Sequence, residues 1–208
     1  MHDIFVKEQY FNKEVLEQAW DECRSLNDGV DFVDPEGVFK GKLVVNQVYI
    51  THPGVAVTSL LNRTQLAFDI PTRIVEASYI TLYLPWDIHS DYIRRGSTKP
   101  FFNALIPLHD VDSRTIIFDQ VSTEYNQFWK YKQENPKVAD PIPEDIWQQY
   151  LSMCWPEDRL WLTVKEILPA QRAGQLIAFK RKYFHSSDNF HLRCSGPKHF
   201  LQIIIDEN

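Results

Sequence analysis

Cysteine is scarce in this chain. Its three cysteines, Cys23, Cys154 and Cys194, form no CxxC pair. That count excludes a disulfide framework and a thiolate zinc site, and it fits a reducing compartment. An excess of basic residues is also missing: 22 Lys and Arg stand against 28 Asp and Glu, for a net charge of −6. Duplex nucleic acid needs clustered cations against its phosphates, so it is not an expected partner. No apolar run reaches membrane-spanning length, and the opening "MHDIFVKEQYF" has no basic stretch leading into an apolar one. Neither a signal peptide nor a membrane partner is predicted, and the expected location is cytoplasmic. Internal repeats and low-complexity segments are absent as well.

What remains is an ordinary globular composition over 208 residues, 44% hydrophobic and 13% aromatic with six tryptophans. One domain with a substantial core is expected over 1–208. Residues 11–26 carry Val15, Leu16, Ala19, Trp20 and Cys23 at helical spacing after a potential cap, Asn12. A loop rich in Gly and Asp follows, then an extended segment "LVVNQVYI" and a second helix after Pro53. Residues 1–76 are thus read as N-terminal helical support. Strand signals then take over at 77–86, 100–108 and 114–120, where β-branched and aromatic residues alternate. The short polar link "HDVDS" reads as a hairpin turn between the last two. Residues 121–169 hold Pro136, Pro141, Pro143 and Pro156 among helical patches, so they are read as a partly helical insertion outside the core. Strand character returns at 174–185 and 199–206. The predicted fold is mainly β with flanking helices: an antiparallel sandwich or barrel built from 77–120 and 170–208, with the N-terminal helices outside.

One stretch stands out, "PWDIHSDYIRRGSTKPFFNALIPL" at 85–108. His89 and Asp91 lie two residues apart at the end of a β-rich run, and in extended backbone such side chains share a face. An imidazole and a carboxylate converging there form either part of a metal site or a surface ion pair at a turn. The basic segments Arg94-Arg95 and Lys180-Arg181-Lys182 read as solvated strand ends. His109 with Asp110 and Asp112 reads as a polar turn, while His191 and His199 are fallback ligands.

Further along, "AGQLIAFKRKYFHSSDNF" places His185 just past a glycine-opened strand, and Lys198 precedes the final strand. With these elements in order, the chain resembles the 2-oxoglutarate and Fe(II)-dependent dioxygenases over roughly 77–206. "FHSSDNF" is similar to the distal-histidine segment of small bacterial and phage members. The resemblance implies a double-stranded β-helix (jelly-roll) core and a metal triad of His89, Asp91 and His185. It implies Fe(II), 2-oxoglutarate and O2 as cofactor and co-substrates. It also implies a cation for the distal carboxylate of 2-oxoglutarate. Lys198 is preferred because it alternates onto one face with Phe200 and Gln202, and Arg193 is the rival. Asn103, Tyr83 and Thr115, on adjoining strands, are candidates to hold the co-substrate, and Trp86 and Trp129 to wall the pocket. The implied activity is oxidative decarboxylation of 2-oxoglutarate coupled to hydroxylation or oxidative demethylation. Its substrate would be a small molecule or a side chain. Asp91 argues against halogenation, for which relatives lack the carboxylate. A β-helix without iron chemistry, serving as a binding or structural module, is the alternative. A cupin-like hydrolase or isomerase is a third reading, weakened by the absence of a His-x-His pair.

Overall fold

The computed structural model describes residues 2–34, 38–91, 100–122 and 128–207. Among these residues ten strands form two antiparallel sheets. In chain order they are β1 (Ile4–Lys7), β2 (Val30–Val33), β3 (Leu43–Tyr49), β4 (Thr72–Leu82), β5 (Pro100–Pro107), β6 (Thr115–Val121), β7 (Val164–Ile167), β8 (Leu176–Lys180), β9 (Tyr183–Ser187) and β10 (Lys198–Glu207). The larger sheet runs β1-β8-β5-β10-β4-β3-β2 and the smaller β7-β6-β9. Two facing antiparallel sheets make the expected jelly roll.

Side-chain alternation sorts the strands into layers. On β10, Leu201, Ile203 and Ile205 pack outward with Leu176 and Ala178 of β8 and Ala104 and Ile106 of β5. Between the sheets lie Phe200, Ile177, Phe179, Leu105, Ile80 and, from β6, Ile117. The outward layer is covered by α1 (Lys13–Arg24) and α2 (Val55–Gln65), whose Leu16, Ala19, Val57 and Leu60 complete it. Asn12 caps α1, its side chain accepting the Glu14 N–H at 2.7 Å. At the start of α2, the Glu22 carboxylate accepts the Ala56 and Val57 N–H groups, each at 2.9 Å, where a helix dipole favours negative charge.

Several expectations change. Residues 1–76 supply β1, β2, β3 and the start of β4 in the larger sheet as well as two helices. The link at 109–113 is not a hairpin, since β5 and β6 belong to different sheets and the chain turns a corner between them. The run 174–185 is two strands, β8 and β9, one in each sheet, so His185 lies within β9 rather than past a strand end. Gly174 opens β8 with φ +90°, and its carbonyl accepts the Tyr10 and Phe11 N–H groups. Arg181, at the corner between them, is fully buried rather than solvated. Arg94-Arg95 lies outside the described residues.

The insertion is partly helical, with α3 (Phe128–Glu134) and a short α4 (Glu144–Ile146) running into a π-turn at Trp147–Leu151. Its end, β7, pairs with β6 as a true strand of the smaller sheet. Ile142, Trp147, Leu151 and Leu162 are fully buried against Ile116, Phe118 and Phe184. This segment is therefore the outer cover of the smaller sheet, not a detachable addition. No helix among the described residues is long and apolar enough to cross a membrane.

Candidate metal centre

Beyond β4 the ladder stops near Pro85, which has no N–H to offer. The chain crosses to the smaller sheet, where His89 pairs with His185 of β9 in an isolated antiparallel bridge. Its two backbone bonds are His89 N–H to His185 at 3.0 Å and His185 N–H to His89 at 2.8 Å. This bridge brings the two imidazoles to a centroid separation of 4.3 Å. Asp91 follows two residues on, with one Oδ2 atom 3.4 Å from His185 Nε2. One potential ligand atom from each of His89, Asp91 and His185 lies within 4.8 Å of the others.

Hydrogen bonds orient all three groups. His89 Nδ1 lies 2.6 Å from the Asp87 carbonyl and His185 Nδ1 lies 3.2 Å from the Tyr183 carbonyl. A carbonyl only accepts, so each Nδ1 carries the proton and each Nε2 keeps its lone pair for a metal. Asn103 donates to Asp91 Oδ2 at 2.6 Å and Gln202 at 3.3 Å. Burial alone would raise the Asp91 carboxyl. When the imidazoles carry a second proton in place of a metal, the hydrogen bond from His185 Nε2–H and the charges of His185, His89 and Arg181 outweigh it and hold the group below the usual range.

The triad opens into a cavity of about 60 Å³ between the sheets. Lys198, 2% exposed, lies on its wall with Phe200 and Gln202 from the same face of β10. Its ammonium donates to Ser113 Oγ at 3.1 Å and Ser187 Oγ at 3.0 Å, and it sits over the rings of Phe190 and Phe200. Both hydrogen-bond partners are neutral, so a buried cation faces the cavity with one N–H unspent. Burial lowers its pKa to about 8 against the more distant pull of Asp188.

The other predicted residues divide. Thr115 and Trp86 line the cavity. Asn103 also lines it, but its amide holds Asp91, a role that differs from the one expected. Tyr83 is 40% exposed and is not on the cavity wall, because the strand has ended one residue earlier. Arg193 is not there either: it is engaged by Asp112 and Asp188. Trp129 is 59% exposed, in an outer cleft. His191 packs edge-on against Phe39. Ser113, Ser187 and Gln202 were not anticipated as site residues, although Ser187 stands two residues after His185 on β9 and so shares its face.

No protein-family model matches the chain, and no curated protein matches it in sequence. Solved structures do match. The non-haem α-ketoglutarate-dependent epimerase SnoN from nogalamycin biosynthesis superposes with a TM-score of 0.63 at 13% identity, over 99% of this chain and 78% of that one. HygX from Streptomyces hygroscopicus, with nickel and 2-oxoglutarate bound, gives 0.58 at 12% identity over 99% and 83%. A Pseudomonas putida prolyl-4-hydroxylase gives 0.56 at 11% over 100% and 94%. The chain has the fold of these enzymes.

Proposed function

We propose that the protein is an Fe(II)- and 2-oxoglutarate-dependent oxygenase that hydroxylates or oxidatively demethylates its substrate. The observation that carries this reading is a pair of sites lining one cavity: two imidazoles and a carboxylate, and an ammonium held by neutral hydroxyls. Two histidines with one carboxylate suit Fe(II) and leave further coordination positions open. Structural neighbours support the same reading: SnoN has been solved with Fe3+ and α-ketoglutarate, and HygX with nickel and 2-oxoglutarate.

In this reading Nε2 of His89, Nε2 of His185 and the Asp91 carboxylate hold the metal. Asn103 and Gln202 keep the carboxylate turned toward the imidazoles. Iron and 2-oxoglutarate together supply the oxidising chemistry by consuming O2. Lys198 pairs with the distal carboxylate of the co-substrate, assisted by Ser113 and Ser187. An ammonium with no carboxylate bonded to it gains most from such an anion, because an unpaired buried charge is costly. Ile80, Leu82, Leu105 and Phe179 line the cavity and exclude water.

The test is succinate release from 2-oxoglutarate by the full chain, with and without Fe(II), across a set of candidate substrates. Iron- and oxygen-dependent succinate supports the oxygenase. A chain that takes up neither Fe(II) nor 2-oxoglutarate is a binding or structural module instead.

A further inference from the structure

The inner cavity is small, and Trp86 walls it and two wider clefts outside it. Those clefts measure about 230 and 350 Å³, against about 60 Å³ inside. The inner space suits a small acid beside the triad, and the clefts that share Trp86 with it offer the room a larger molecule needs. Their walls are aromatic. Phe32 of the edge strand β2 packs against Trp86 with ring centroids 5.8 Å apart, and Trp86 in turn lies 5.3 Å from the His89 ring. Phe32 is 39% exposed and Trp155, in the second cleft, 48%. Aromatic surface gathered in clefts beside a cavity marks a binding surface more than scattered apolar residues do.

Carboxylates predominate among the described charges there. Among the described residues of the first cleft, Asp34 and Asp87 are charged and no cation is present. In the second, Asp87 and Asp158 face a single Lys132, which is already bound to Asp158. Asp87 lies on both cleft walls, and its carboxylate makes no hydrogen bond or ion pair among the described residues. Asp34, by contrast, accepts the Phe39 N–H at 2.7 Å.

We infer that the clefts bind a cationic small molecule, an amine whose ammonium pairs with Asp87 and lies against the faces of Trp86 and Phe32. Aromatic faces attract cations through their quadrupole, and a nearby carboxylate adds direct charge. An anion would meet the Asp87 carboxylate, for which no cation stands among the described residues of the first cleft. The two ligands of the enzyme are then sorted by charge, a dianion inward to Lys198 and a cation outward to Asp87. That the bound amine is oxidised rests on the oxygenase reading; that it binds does not.

The test uses the full chain without iron or 2-oxoglutarate and three probes of similar shape: 2-phenylethylammonium, 2-phenylethanol and phenylacetate. Binding is followed by NMR at the indole N–H of Trp86, assigned with Trp86→Phe. The ammonium is expected to bind at least about tenfold tighter than the alcohol, and phenylacetate not to bind. Asp87→Asn should bring the ammonium down to the affinity of the alcohol and leave the alcohol unchanged. Raising salt from about 0.05 to 0.5 M should weaken only the ammonium, a measurement on the unaltered chain that stands if the variant fails to fold. Equal affinity for ammonium and alcohol, an unaltered response in a folded Asp87→Asn, or preferred binding of phenylacetate overturns the inference. Ammonium binding by a chain that never releases succinate overturns the oxygenase reading alone. Succinate release from a chain indifferent to charge overturns this inference alone.

Discussion

Two histidine pairs sit on opposite faces of the larger sheet, and only one is equipped to hold a metal. His89 and His185 approach to 4.3 Å between ring centroids, while His109 and His199, behind β10 and beneath α1, approach to 5.4 Å. In the first pair each Nδ1 is occupied by a backbone carbonyl and a carboxylate stands beside Nε2. In the second, His109 Nε2 accepts the His199 N–H at 3.1 Å. His199 Nδ1 meets the Tyr79 hydroxyl at 2.9 Å and Thr81 Oγ1 at 3.2 Å. Trp20 stacks on His109 and tilts over His199. Nearness of imidazoles does not make a ligand set. Which nitrogen the surroundings consume does.

The largest effect expected from breaking this contrast is on metal affinity. His185→Ala should weaken Fe(II) binding by at least about 100-fold, beyond the range seen when only an outer partner is lost. His199→Ala should leave it within about twofold, since none of its bonds reaches the metal end. Anaerobic metal titration of both variants checks the pair.

Next in size is Lys198, the proposed co-substrate anchor, which has no counterpart at the second pair. Lys198→Ala should weaken 2-oxoglutarate by at least about tenfold, as desolvated charge pairs typically cost 2–5 kcal/mol to break. Arg193→Ala should affect it less and instead lower the melting temperature, because Arg193 joins Asp112 to Asp188. The Lys198 pKa of about 8 fixes the pH direction. Above it the ammonium loses its proton, so affinity for the dianion should decline as pH rises past 8. Calorimetry at several pH values reads this directly.

Asn103→Ala sharpens the contrast at its hydrogen bonds. Freeing Asp91 from a 2.6 Å contact should cost on the order of tenfold in metal affinity. Thr81→Ala, beside the other pair, should cost none.

Much of this was legible in sequence, though not evenly. The i, i+2 spacing of His89 and Asp91 survived even though neither lies in a long strand, since the bridge to His185 keeps that segment extended. Lys198, Phe200 and Gln202 share a face as alternation requires. What was not legible depends on distant partners. β1 is four residues fixed by β8 and by the pairing of Asp3 with Lys180, a contact spanning nearly the whole chain. β2 is exposed at every position, so it leaves no burial pattern to read. The β8–β9 corner is hidden because Arg181, polar by type, is buried there. A short polar link such as 109–113 serves equally for a hairpin or a corner, and only the sheet partners decide.

The smallest effect belongs to the structural pair. Burial, with the charges of His109 and Arg24, lowers the His199 pKa from 6.5 to about 4. Between those values the unfolded chain binds a proton that the folded chain refuses. Stability is therefore fully present above about 6.5 and falls as pH drops toward 4. For a half-buried ring the loss should be on the order of 1 kcal/mol. Denaturant melts at pH 7 and 5 should differ more for the native chain than for His199→Phe.

The proposed metal and co-substrate sites are tested together by an anaerobic calorimetric titration of the full chain with Fe(II), then with 2-oxoglutarate, repeated on His185→Ala. One Fe(II) per chain, 2-oxoglutarate binding that depends on that metal, and loss of both in the variant are expected. Fe(II) binding unchanged in His185→Ala, or a native chain that takes up neither ligand, would contradict the proposed sites.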